Sequence, residues 1–437
     1  MPARVIREDY PEVTVSGQRP RKRNTNMNTT FSFFRDRRPA EPPTFSMPEL
    51  DRDPHVLFRR MRLMTPFLRR DDGSYIAIRC GDVERLYGDT RTRQMETERL
   101  RSHGVTGGYL YDILQHTMLY SNGTAHRQRR APLSRAFAFR LITELRPVIR
   151  ARAHQLIDRV ESRSEMDFVD DFAAPIPAHI ISEILGLPPA DIPEFTRWVY
   201  SISRAFSFSF LQSDIPDMED AARNLTEYVQ NLLSDRRATP RLDFLSSFVL
   251  GVDADEKLSP IEAISQIITV IIGGSDTTRA AMAIQVFLLL QHREQWDAVC
   301  TGGMSLIAGA VSEAMRYEPS VGSTPRFTLA DIEISGYLVP AGSVLSLSTL
   351  SAMRDPALYT DPDRFNIRRT DHPRRHIVFG GGAHRCLGEV LARAELEEGL
   401  AALVERLPKL HLLGEPLKVF GHAGIRRVSA MKVGWTR

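Results

Sequence analysis

The sequence predicts a mainly α-helical protein with small β-sheets. Three observations carry that reading. Most of residues 126 to 318 place their apolar side chains at helical spacing. Within that span Ser259-Pro260-Ile261-Glu262 is a capping box with proline at the first helical position. Beyond residue 325, short β-branched and aromatic runs are cut by turn residues.

In chain order, residues 1–45 are rich in Arg, Pro, Thr and Asn and hold no sustained period. They are expected to be a flexible leader, with Met27 an alternative start. Residues 46–437 are expected to form a single domain, with no internal repeat or long linker. The helix opened by Ser259 can run to about Gln291, roughly 50 Å at 1.5 Å per residue. Its middle is almost wholly apolar, so it must cross the interior. Gly273, Gly274, Ser275, Asp276, Thr277 and Thr278 interrupt that run. A second helix is expected over 304–317, stopped ahead of Pro319. Strands are expected at 326–328, 332–334, 337–339 and 344–346, separated by Asp331, Gly336 and Pro340-Ala341-Gly342. A helix from 386 to about 404 follows, and the tail, 419–435, reads as a hairpin.

Composition is that of an ordinary globular chain: 437 residues, 42% hydrophobic and 25% charged. No unbroken apolar run reaches about 18 residues, so no membrane span is expected. The N-terminus lacks the apolar core of a secretory signal. A soluble cytoplasmic protein is the expectation. A net charge of +3 argues against nucleic acid as a partner. The three cysteines, Cys80, Cys300 and Cys386, suggest neither a disulfide framework nor, lacking C-x-x-C, a zinc site.

Residues 379 to 388 read F-G-G-G-A-H-R-C-L-G. They set Cys386 in a glycine-rich loop that opens onto a helix, where backbone N–H groups and the helix dipole favour a thiolate. Such a sulfur suits a permanent metal ligand. Glu313 and Arg316, at i and i+3, share a helix face and can pair. Asp276 and Thr277 are polar groups in an apolar helix centre, costly there unless hydrogen-bonded or useful. Gly273 and Gly274 leave room beside them. The plainer alternative is that the threonine hydroxyl bonds back to the i−4 carbonyl. His126 and Arg130, at i and i+4, also share a face.

The spacing F-G-x-G-x-H-x-C-x-G resembles the haem-binding loop of cytochrome P450 monooxygenases. From about residue 50 onward the other motifs occur in that family's order: His126, Asp276-Thr277, Glu313/Arg316, Arg364 and Cys386. The resemblance implies a triangular helical prism with haem b between the long central helix and the cysteine loop. It makes Cys386 the axial thiolate, which pushes electron density onto iron. Leu387 and Gly388 would aim N–H groups at the sulfur, and Phe379 would cover the proximal face. It implies a structural triad of Glu313, Arg316 and Arg364. His126, Arg130, Arg326 and His384 would meet the haem propionates. Gly274 would border the cofactor, Thr277 would hydrogen-bond the activated oxygen, and Asp276 would relay protons. Two departures stand out. Gly273 replaces the family's usual alanine, and Ser121-Asn122-Gly123-Thr124-Ala125 replaces its acidic, proline-rich approach to the histidine.

The function so implied is a monooxygenase that inserts one atom of O₂ into a hydrophobic small molecule. The chain carries no flavin or dinucleotide fingerprint, so electrons come from outside. By resemblance a ferredoxin and ferredoxin reductase supply them, with NAD(P)H only an indirect source. Arg129, Arg135 and Arg385 are candidate docking charges for an acidic partner. A monomer without membrane attachment is expected. Alternatives are a peroxide-driven, dehydrating or coupling oxidation on the same fold, or a non-catalytic haem sensor or electron carrier. Candidate substrate contacts are residues 109–120, Phe206, Phe208, Phe210, Ile271, residues 321–324 and Ile425.

Overall fold

The Ser259 capping box forms as its sequence requires. The Ser259 N–H donates to Glu262 Oε2 at 2.9 Å, and the helix it starts spans Pro260–Gln291. In the computed structural model the described residues are 40 to 436, apart from 138, 207–209 and 374–375. The side chains of residues 139–141 and 206 also lie outside the description. Phe208 and most of the expected leader therefore fall outside it, as does the side chain of Phe206.

Residues 263 to 272 of the central helix are all buried. It packs against the helices Tyr109–His116, Pro175–Leu185, Ile215–Ala238, Arg293–Tyr317 and Glu389–Arg406. Gln266 spans one of these contacts: its side chain accepts from Met118 N at 2.8 Å and donates to His116 O at 2.8 Å. Two helices, Pro260–Gln291 and Arg293–Tyr317, are long and apolar enough to match a membrane span. The first is mostly enclosed by protein, and the second carries a fully buried ion pair.

The second expected helix is longer than its periodicity suggested. Helical structure runs over Arg293–Tyr317, broken at Gly303, which adopts φ +68°. The part after the break is the expected 304–317. The part before it is anchored by Trp296, whose buried indole N–H donates to Pro408 O at 2.8 Å.

The strands expected beyond residue 325 form as Ser323–Thr328, Ile332–Ile334, Tyr337–Val339 and Val344–Ser348. Ser323–Thr328 and Val344–Ser348 pair antiparallel, with Arg326 opposite Leu345. They join a six-stranded sheet with Thr44–Phe45, Phe67–Arg70, Tyr75–Ala77 and Thr92–Arg93. Thr44–Phe45 lies inside the stretch read as a leader. It pairs in parallel with Arg69 and Arg70 and so belongs to the folded body. The tail is not one hairpin. Val419–Phe420 pairs with Arg427–Val428, but Lys432–Gly434 turns away to pair with Glu165–Asp167 and His411–Leu412. Those two partners are too short to signal themselves by alternation.

Glu313 and Arg316 are both fully buried and meet in a two-bond fork: Nε to Oε2 at 2.7 Å and Nη2 to Oε1 at 2.9 Å. Arg316 also donates to the carbonyls of Met353, Pro362 and Arg364. Glu313 accepts from Asn366 N at 2.8 Å and from Arg369 Nε at 3.1 Å. This corrects the expected triad. The third arginine is Arg369; Arg364 is exposed and contributes its carbonyl, not its side chain. Four residues lie between the two, and the loop's path, which spacing does not fix, decides which one turns inward.

Removing one partner of a buried ion pair strands the other charge, a loss of about 3–5 kcal/mol. Arg369→Ala is expected to approach that range in denaturant unfolding. Arg364→Ala is expected to stay within about 0.5 kcal/mol of wild type, as surface changes do.

Candidate functional site

The cysteine loop is shaped by Tyr87, the last residue of the helix Cys80–Tyr87, on which it presses. Gly380 and Gly382 adopt φ +70° and +62°, a region that penalises side chains. A Cβ on Gly382 would stand 2.5 Å from Tyr87 O, and one on Gly381 2.9 Å from Tyr87 Cβ. The Cys386 N–H donates to Phe379 O at 2.8 Å and closes the loop. Arg385 braces it, donating to Gly380 O at 3.0 Å and pairing with Glu389 at 2.7 Å. Gly388 then caps the helix Glu389–Arg406. Cys386 thus lies ahead of that helix rather than inside its first turn. Phe379 is covered by the Arg393 guanidinium, 5.3 Å from its ring centroid.

Cys386 is exposed, but it faces a cavity of about 370 Å³. Surrounding atoms push its thiol above the ordinary value. The Gly388 N–H and the charges of Arg130 and Arg385 act the other way. The cavity is bounded by the central helix at Thr269, Val270, Gly273, Gly274, Thr277 and Thr278, by the cysteine loop, and by Ser323, Thr324 and Arg326 of the sheet. Met118, Leu119, Tyr120, Val321 and Ile425, from the expected substrate contacts, also line it. Ile271 does not: it is fully buried on another face of the helix.

Burial along the central helix breaks at Gly273, the exposed residue among those that line the cavity from this helix. The two glycines serve different ends. A Cβ on Gly273 would meet nothing within 4 Å, whereas one on Gly274 would sit 2.6 Å from Ile181 Cδ1. Thr277 lines the cavity, and its hydroxyl donates to Gly273 O at 2.9 Å, the back-bonded arrangement. Asp276 turns aside from the cavity to pair with Arg279 at 2.5 Å.

His126 is buried, and its ring lies 3.8 Å from that of His384, centroid to centroid. Its Nε2 finds no hydrogen-bond partner among the described residues. Burial, then the charges of Arg130 and Arg127, lower His126 to about 4. Burial, then His126, Arg326 and Arg130, lower His384 to about 3. Arg130 donates to Arg385 O at 2.6 Å. Arg326, also buried, donates to Gln94 Oε1 at 2.8 Å and lies 5.2 Å over the Tyr87 ring. The unusual approach to His126 has its own anchor here: Asn122 accepts from Gln94 N at 2.8 Å and donates to Gln94 O at 3.2 Å. Asn122 so links the His126 helix to the acceptor of Arg326.

Two imidazoles and two guanidiniums therefore converge beside the cysteine loop; Arg130 opposes protonation of both histidines, and His126 and Arg326 oppose that of His384. A group carrying carboxylates would reverse that opposition. Among the described residues no three His, Cys, Asp or Glu side chains cluster as a metal site. A lone sulfur holds iron only if a macrocycle brings the other donors. The residues present fit haem: Cys386 for the iron, and Arg130, Arg326, His126 and His384 for the propionates.

Periodicity and motifs missed one group. Glu395, on Glu389–Arg406, lines the cavity and is 1% exposed. Burial raises its carboxyl to about 8, opposed by a hydrogen bond with Thr278. The signal was available: Glu395 shares a helix face with Leu391 and Ala402, both buried. Arg129, read as a docking charge, is also misplaced. It is buried and pairs with Glu262 at 2.8 Å. Arg135 and Arg385 have acidic partners in Asp255 and Glu389.

Residues 91–412 match the sequence model of the family described as Cytochrome P450. The plant-inducible cytochrome P450-pinF1 of Rhizobium radiobacter is 42% identical over 393 residues, covering 90% of this chain and 93% of its own. Mycinamicin IV hydroxylase/epoxidase of Micromonospora griseorubida is 33% identical over 347 residues, covering 78% and 83%. The crystal structure of myxobacterial cytochrome P450 CYP267B1 in complex with myristic acid is similar at a TM-score of 0.81 and 32% identity, covering 89% of this chain and 98% of that one. The chain belongs to the cytochrome P450 family, and it is a monooxygenase that uses haem and O₂.

Glu395 gives a pH signature. Its folded-state value lies above the ordinary carboxylate value of about 4.3, so the folded chain holds the proton longer. The contribution to stability is whole below that ordinary value and is lost as pH rises toward about 8. Glu395→Gln, which stays neutral, is expected to flatten that fall in denaturant unfolding across the same window.

Proposed function

We propose that this monooxygenase inserts one atom of O₂ into a hydrophobic or amphipathic small molecule, using electrons from a ferredoxin and its reductase. NAD(P)H would enter only through those partners. One observation carries the reading. Cys386 sulfur opens onto a largely apolar cavity, with Thr277 on the wall formed by the central helix. The oxidation consumes O₂, two electrons and two protons, and yields oxidised product and water. Bound haem supplies the oxygen activation, with the Cys386 thiolate donating electron density.

The chain's own residues do the rest. Leu114, Met118, Val321 and Ile425 exclude water and hold an apolar substrate. The Thr277 hydroxyl can leave Gly273 O and donate into the cavity. Gly273 leaves space there without strain. Two groups can furnish protons. Glu395 is protonated at neutral pH and adjoins Thr278. Asp276 has to exchange Arg279 for solvent before it can relay one. The relative that binds myristic acid supports an apolar ligand class. The protein is read as a cytoplasmic monomer.

The test is the optical spectrum of reduced, CO-treated protein. The red-shifted Soret band of a thiolate-ligated haem is expected in wild type and absent in Cys386→Ala. In a system reconstituted with ferredoxin and reductase, Thr277→Ala is expected to form several-fold less product per NAD(P)H consumed, the difference appearing as peroxide. A normal Soret band in Cys386→Ala contradicts the reading.

A further inference from the structure

One amide stands where the elements that carry the propionate donors cross. Gln94 follows the short strand Thr92–Arg93 and lines the cavity. Its Oε1 accepts from Arg326 Nη1 at 2.8 Å. Arginine offers only donors, so this bond fixes which way the amide is turned and leaves Nε2 as a donor. Nε2 meets no acceptor among the described residues. Burial disfavours the Arg326 cation, and only the Tyr87 phenol opposes that.

Asn122 holds the same segment from the other side. It is the N-cap of the helix Gly123–Ala136, which carries His126 and Arg130. Asparagine at that position ordinarily accepts from an N–H of its own first turn. Asn122 makes no such bond. Its Oδ1 accepts from Gln94 N at 2.8 Å, and its Nδ2 donates to Gln94 O at 3.2 Å and to Glu96 Oε1 at 3.0 Å. Arg93 Nη1 also donates to Gln94 O, at 2.9 Å. The Gln94 backbone is thus held at both its N–H and its C=O, and the helix gives up its cap for it. Residues 121–125, where the sequence departs from the family's usual approach to the histidine, serve Gln94 in this way.

We propose that Gln94 is a cofactor-binding residue that donates from Nε2 to a haem propionate, and that Asn122 is its positioning residue. This rests on the haem reading of the site. It adds a neutral donor to the two arginines and two histidines that fit the propionates. A glutamine can join the two tasks because its amide accepts at one atom and donates at the other. Oε1 orients Arg326, and Nε2 serves the carboxylate that the buried guanidinium lacks.

The experiment follows loss of haem from the purified holoprotein to excess apomyoglobin at the Soret band, and records resonance Raman spectra of the propionate-bending region. Gln94→Met is expected to lose haem about tenfold faster than wild type, the scale of one hydrogen bond to a charged group. Asn122→Ala is expected to speed the loss several-fold, and the double variant to lose haem no faster than Gln94→Met, because the one residue acts through the other. The propionate-bending bands are expected to shift in both single variants, a change that looser packing alone does not produce. Should Gln94→Met fail to fold, Gln94→Glu, which keeps an acceptor for Arg326 and has no donor, is read in the same way. Haem loss within about twofold of wild type in Gln94→Met overturns the proposal. So does faster loss with the propionate bands unmoved, since Gln94 then only holds Arg326. Effects that multiply in the double variant overturn the role given to Asn122. Wild type without a thiolate Soret band overturns the haem reading and this proposal with it, whereas a normal band beside any of the other contrary results overturns this proposal alone.

Discussion

The Glu313–Arg316 ion pair is the constraint on which the site depends. Both side chains are wholly buried. Their attraction roughly offsets the loss of water rather than adding much stability. What the pair contributes is position. Arg316 gathers the carbonyls of Met353, Pro362 and Arg364, and Glu313 takes the N–H of Asn366 and the side chain of Arg369. The long irregular stretch ahead of the cysteine loop is thereby fastened to one helix. A loop with so little regular structure would otherwise offer its sulfur at no fixed place.

Three elements then converge on the cavity. The glycine loop can press on Tyr87 because Gly381 and Gly382 lack side chains. The strand behind it, Ser323–Thr328, brings Arg326 and Thr324, whose hydroxyl donates to Tyr87 Oη at 3.0 Å. The central helix, buried along residues 263 to 272, lines the cavity from Thr269 and becomes exposed at Gly273. Two hydroxyls of the cavity are held before any ligand enters, Thr277 by Gly273 O and Thr324 by Tyr87 Oη. Preorganisation of this kind lowers the cost of orienting a substrate.

Much of this was legible in the sequence, and the reasons are physical. Ser259 and Glu262 are a local signal, and the helix they start has the length that apolar periodicity gave it. The residues 379 to 388 carry their geometry in their glycines, two of which take positive φ. Arg369 was not legible, because its inward turn depends on a loop path and Arg364 stands at equally plausible spacing. Asp276 was read as facing the chemistry, but Arg279 one turn on offers an ion pair that wins. Glu395 was hidden because an ionisable residue on a helix is usually solvated. The short strands 165–167 and 411–412 carry too few residues for alternation to show.

The most direct test of the account is X-ray absorption at the iron edge of the purified holoprotein. The account predicts one sulfur in the first coordination shell of wild type and none in Cys386→Ala. A wild-type shell made only of nitrogen and oxygen, or a sulfur that persists in Cys386→Ala, would contradict it.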